Sequence, residues 1–148
     1  MHQTVAPDDH AAVRTAHHPN CYVCETDRDM GLGVAYVQQA DGQVIAEVDC
    51  PGDWEGYIGV VHGGIISSLV DGAMTNCLFA QGIAAVTADL HVRFRHPVEL
   101  RQRALVRAEI VRASPPLYVL KSTIHQSDRL CITATGKFMR QRTQRCAS

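Results

Sequence analysis

The residues richest in chemistry lie in one run, His62-Gly63-Gly64-Ile65-Ile66-Ser67-Ser68-Leu69-Val70-Asp71-Gly72-Ala73-Met74-Thr75. Apolar residues recur at Ile65, Ile66, Leu69, Val70, Ala73, Met74, Cys77 and Leu78. That is the i, i+1, i+4, i+5 spacing of a helix buried over a wide face. The remaining stripe, Ser68, Asp71, Gly72 and Thr75, is small and polar. A carboxylate in the middle of a mostly buried helix must be hydrogen-bonded, paired or at work. The two glycines allow the backbone close to a ligand. The first N–H groups of the helix, with its dipole behind them, point at any oxygen held there. Backbone donors and one inward carboxylate are the minimum set for activating a carbonyl. The same residues also fit a core helix whose Asp meets a structural partner after a Gly-Gly turn.

A frame must hold that helix, and the rest of the chain supplies it. The length of 148 residues implies one domain with a single core. Charged residues make up 20% of the chain and the formal net charge is −1, which gives no reason to expect nucleic acid or an anionic membrane surface as partner. No apolar run approaches bilayer length, and the N-terminus carries no signal-like apolar region, so a soluble cytoplasmic protein without a membrane span is expected. The six cysteines, Cys21, Cys24, Cys50, Cys77, Cys131 and Cys146, are then reduced thiols rather than a disulfide framework.

Residues 1–16 are polar and without clear period, the pattern of a flexible lead-in. Gly33 to Gln38 and Gln43 to Asp49 form strands about an Asp41-Gly42 hairpin turn. The Pro51 to Gly59 stretch is a loop in which Trp54 and Tyr57 either line a pocket or pin the loop. The helix is expected from Gly63 to Gln81, with Gly82 as its cap. From Val86 to Arg95 every even position is apolar and every odd one polar, a half-buried strand. Strands at Ala104 to Arg112, Leu117 to Gln126 and Leu130 to Arg140 follow, joined by turns at Ser114-Pro115-Pro116 and Ser127-Asp128-Arg129. Residues 141–148 are a polar tail. Two strands, one helix and four strands make an α+β fold, a curved antiparallel sheet wrapped around one long central helix. Thr87, His91 and Arg93 fall on the sheet face away from the helix.

Three segments carry a likeness to a known family. They are Val60-Val61-His62-Gly63-Gly64 followed by Leu69-Val70-Asp71, then Val86-Thr87-Ala88-Asp89-Leu90-His91-Val92-Arg93-Phe94 ahead of Pro97, and Asn20-Cys21-Tyr22-Val23-Cys24 ahead of Gly31-Leu32-Gly33. With the element order of residues 17–140, they resemble the PaaI-like acyl-CoA thioesterases of the hotdog fold. The resemblance implies hydrolysis of an acyl-CoA thioester to free acid and CoA. It implies Gly63 N–H as carbonyl polariser and Asp71 as nucleophile or general base. Thr75 would hold water, and Thr87 would join the site from the next strand. His62 shapes the turn or takes part in chemistry, and Gly64 and Ser68 lie where substrate would bind. Coenzyme A is part of the substrate, and no other cofactor is implied. A homodimer is the minimal unit, extended to a homotetramer.

The pattern is broken at one position. Many relatives carry Asn or Gln six residues before the His, and here that residue is Gly56, with Asp53 and Glu55 the acids nearby. Two other functions share this fold. A hydratase or dehydratase would use a His at the helix start for proton abstraction, and a binding protein would hold acyl-CoA or lipid without turnover. Cys21-x-x-Cys24 with His17 or His18 is half of a metal site. No second Cys-x-x-Cys follows, and closing the set needs a tight knot in a short loop, so no metal is expected.

Overall fold

The structure, a computed structural model, describes residues 7–27 and 29–141. In chain order the elements are α1 (Pro7–His17), β1 (Val37–Gln38), β2 (Val44–Val48), a 3-10 turn (Gly52–Trp54), α2 (Gly63–Phe79), β3 (Ala85–Phe94), β4 (Ala104–Ser114), β5 (Leu117–Gln126) and β6 (Arg129–Arg140). The six strands form one antiparallel sheet in the order β1-β2-β4-β5-β6-β3. Helix α2 lies against one face and touches every strand from β2 to β6. No helix among the described residues is long and apolar enough to cross a membrane.

The core follows from two periodicities. Leu69, Val70, Ala73, Met74, Cys77 and Leu78 are fully buried on α2. Alternate residues of the strands meet them, among them Val44, Ala46, Val106, Ala108, Leu120, Ile124, Ile132 and Phe138. At β6 the packing leaves no room for a side chain: a Cβ on Gly136 would stand 2.7 Å from the Phe138 ring and 3.0 Å from Met74 Sδ. The helix ends at Phe79, two residues before the expected end. Gly82 adopts φ +70°, its N–H donates to Phe79 O at 2.9 Å, and the Ile83 N–H donates to Leu78 O at 3.0 Å. That pair of bonds is a Schellman stop, with Gly82 in the left-handed position expected of it.

The structure corrects three expectations. The lead-in is helical from Pro7, and His10 Nε2 lies 3.0 Å from Asn76 Oδ1 on α2. Residues 1–6, and 142–148 of the tail, lie outside the described residues. The strand expected from Gly33 ladders only at Val37 and Gln38. Its earlier half is tied to the leader loop instead, by Leu32 N–H to Tyr22 O and Val34 N–H to Val23 O, both 2.8 Å.

The third correction concerns β3. Its register against β6 runs Thr87↔Phe138 and then Asp89↔Lys137, so Ala88 is an extra residue. One inserted residue reverses which side chains face the helix. Thr87 therefore shares the core face with the buried Phe138, while His91 and Arg93 remain on the outer face, pairing with Thr135 and Thr133. An unbroken alternation would put all three outside. β3 is also an edge strand, hydrogen-bonded only to β6. It exposes Val86, opposite Met139 of β6, and Phe94 at its far end, opposite Ile132.

Candidate active site

The start of α2 is fixed from both sides. The His62 N–H donates to Trp54 O and the Val61 N–H to Val98 O, each at 2.8 Å, and Trp54 and Val98 are buried. His62 is the N-cap, with φ −56° and ψ 134°. Its Nδ1 accepts the Gly64 N–H at 2.8 Å, and its carbonyl accepts the N–H groups of Ile65 and Ile66, both at 3.0 Å. A helix begins with four N–H groups that have no partner within its own turns. Of these, the His62 N–H goes to Trp54 O and those of Gly64 and Ile65 go to His62, while the Ile66 N–H makes the first regular bond of the helix. The remaining donor, the Gly63 N–H, is exposed and has no acceptor among the described residues. His62 thus acts as a cap through Nδ1, and Gly64 has no N–H to spare for a ligand.

Two turns further along, Asp71 is half-buried, and Thr87 donates its hydroxyl to Asp71 Oδ1 at 2.6 Å. The β3 bulge makes this contact possible. Burial pushes the Asp71 carboxyl above the ordinary carboxylate range. The Thr87 hydrogen bond and the charge of His18 oppose that shift. Among the described residues Asp71 forms no salt bridge. Its neighbours on the same stripe are Ser68, whose hydroxyl donates to Gly64 O at 2.9 Å, and the buried Thr75.

The neighbouring loop contributes less than its acids implied. A Cβ on Gly56 would lie 2.9 Å from His62 Cα, so no side chain fits there without moving the helix cap. Glu55 accepts the Gly59 N–H at 3.0 Å and closes its own turn. Trp54 belongs to the core, whereas Tyr57 is 89% and Ile58 95% exposed.

A free helix N-terminal donor and a hydroxyl-bound carboxylate on one α2, under an antiparallel sheet, are thus in place. A family model for the thioesterase superfamily matches residues 58–133, a little over half of the chain. The chain belongs to this superfamily. Human acyl-coenzyme A thioesterase 13 is 27% identical over 110 residues, covering 73% of this chain and 74% of that protein. The PaaI protein from the E. coli phenylacetic acid degradation operon has a TM-score of 0.78, covering 92% of this chain and 96% of that one, at 18% identity. The Streptococcus mutans protein smu.793, solved bound to acetyl CoA, gives 0.69 over 73% and 88% at 21% identity. The fold is the hotdog of PaaI-like thioesterases.

Two residues of this superfamily member were not singled out from sequence for a place around Asp71. Tyr36 is buried and donates its hydroxyl to Leu69 O at 2.9 Å. A Cβ on Gly72 would stand 2.6 Å from that hydroxyl, so the residue after the carboxylate is the notch that seats Tyr36. His18 is near enough to act on the charge of Asp71, and its ring packs edge-on to Phe79 at 5.0 Å. No local pattern announces either, because both are brought to α2 by the leader loop.

Proposed function

We propose that this chain is an acyl-CoA thioesterase whose site is shared between two copies. The observation that carries the reading is the pairing of one free backbone donor, at Gly63, with a carboxylate held by Thr87, at Asp71, on the same helix. Eight residues at about 1.5 Å rise each separate them by about 12 Å along the axis, too far for one thioester carbon to meet both. An antiparallel helix from a second copy would bring its Asp71 beside the first copy's Gly63, and two-fold symmetry would make two such sites. The exposed edge of β3, with Val86 and Phe94, supports a dimer formed there. A homotetramer would be built from two such dimers.

The Gly63 N–H, with the helix dipole behind it, stabilises the oxyanion that develops on the thioester carbonyl. Asp71 acts in one of two ways. It takes a proton from the attacking water, or it attacks the carbon itself and forms an anhydride that water then opens. Either way the carbon–sulfur bond breaks, water supplies the acid's new oxygen, and the CoA sulfur leaves with a proton. Coenzyme A is part of the substrate, and the step draws on no other cofactor. Thr75 and Ser68 flank the carboxylate on the side from which water and substrate would come.

The test is release of free thiol from a panel of short, long and aromatic acyl-CoAs. Release from at least one of them is the expected result. An enoyl-CoA consumed without thiol release would mean a hydratase, and tight binding with neither outcome would mean a carrier. Both would end the thioesterase reading. A finer prediction concerns pH. Asp71 must be ionised in either role, so activity falls as pH drops through its pKa. The Thr87 hydrogen bond holds that pKa down against burial. Thr87→Val should therefore move the acid limb of the kcat/KM profile to higher pH. An unmoved limb would separate Thr87 from the chemistry.

A further inference from the structure

Outside the α2 stripe the leader loop gathers a second set of chemically active side chains. His18, Cys21 and Cys24 each present a ligand atom, and all of these atoms lie within 4.8 Å of one another. Ligands on a tetrahedral zinc, at Zn–S of about 2.3 Å and Zn–N of about 2.0 Å, stand about 3.5–3.8 Å apart, so a closure of at most about 1.3 Å would seat the ion. His18, not His17, completes the set. The knot that its sequence spacing demanded is present: the Cys21 N–H donates to His18 O at 3.5 Å and the Glu25 N–H to Cys21 O at 3.0 Å.

Two independent observations point to a ligand there. The His18 Nδ1 atom is buried and has no hydrogen-bond partner, and buried polar atoms seldom go unpaired without a reason. The Cys24 N–H donates to Cys21 Sγ at 3.4 Å, a backbone hydrogen bond of the kind that orients a ligating sulfur. We propose that His18, Cys21 and Cys24 bind one zinc-class cation per chain, with a water in the fourth position. Two thiolates and an imidazole form a soft donor set that selects zinc over magnesium or calcium.

The role of the ion is structural. Between α1 and β1 the chain has almost no regular structure, yet it lays Val23 and Tyr36 on Gly72, beside Asp71. A metal clip in such a loop supplies the order that a short, poorly laddered segment cannot hold by itself. This proposal stands apart from the thioesterase reading, since it concerns metal content and stability.

The experiment uses the full chain, purified under reducing conditions. Metal analysis should find about one zinc per chain. Cobalt(II) in its place should give the thiolate-to-cobalt charge-transfer absorption of a tetrahedral sulfur-bound ion. The single variants His18→Gln, Cys21→Ser and Cys24→Ser should each weaken zinc binding by at least about 100-fold, since even second-sphere changes cost 10- to 100-fold. Chelation should lower the Tm of the wild type but not of Cys21→Ser/Cys24→Ser. The wild-type measurements need no variant to fold. Absence of stoichiometric metal would overturn the proposal. So would retention of the metal in the double variant, or a Cys21–Cys24 disulfide that persists in reduced, zinc-supplied protein.

Discussion

Asp71→Asn should lower thiol release from the best acyl-CoA by about 10³-fold or more, while the protein melts no earlier than wild type at neutral pH. The amide keeps the volume and can still accept the Thr87 hydroxyl, but it cannot serve as nucleophile or base. The stability half follows from the sign of the shift. Burial raises the folded-state pKa of Asp71 above its unfolded value. A raised carboxyl pKa favours folding at pH below the unfolded pKa, and that advantage is lost as pH rises through the folded pKa. At neutral pH the wild type therefore carries the cost of a half-buried, unpaired charge, which the amide removes. The gap in Tm should narrow as pH falls and the wild-type carboxyl takes up its proton. Near wild-type turnover in a folded Asp71→Asn protein would defeat the assignment.

A mixture of Gly63→Pro and Asp71→Ala proteins should recover activity that neither parent has. Proline is suited to this position for a physical reason. It is favoured at the first residue of a helix, where its missing N–H breaks no internal bond. His62 already has φ −56° and ψ 134°, the extended geometry required of a residue before proline. A Cβ at Gly63 would meet the Phe94 ring at 3.7 Å, an ordinary contact. The substitution thus deletes the free donor and leaves the cap in place. If the site is shared, each mixed dimer has one site with both wild-type groups and one with neither. Random exchange makes half of the dimers mixed, so recovery should approach about a quarter of the wild-type rate. Should the two groups act within one chain, every site lacks one of them and exchange restores nothing.

Much of the fold and part of the site could be read from sequence, and the misses have identifiable causes. The helix and the strands β4 to β6 obey clean periodicities, because each buries one face against the other. In β3 the alternation is just as clean, yet Ala88 shifts its phase, and a count of apolar residues cannot see an inserted one. Pattern alone therefore puts Thr87 outside while family likeness puts it at the site, and only the bulge reconciles the two. α1 has little apolar periodicity and is held by contacts with α2 that no local signal announces. His62 is not among the usual N-cap residues, so its capping of Gly64, and the resulting choice of Gly63 as the free donor, come from tertiary contacts such as the His62 N–H to Trp54 O bond rather than from local sequence. The leader loop is the segment least legible from sequence. Its side chains acquire meaning only from the helix they cover.

The bare edge of β3 carries a consequence for handling this protein. Val86 and Phe94 lie open along a strand with unpaired backbone groups, and such an edge favours self-association. If each site is divided between two chains, as proposed, catalysis and assembly obey one mass-action law. Specific activity then ceases to be a constant of the preparation. It should decline on dilution below the dimer dissociation constant, and saturating acyl-CoA should hold it up by binding only the assembled form. Progress curves begun from dilute stocks would show a lag set by re-pairing of chains rather than by chemistry.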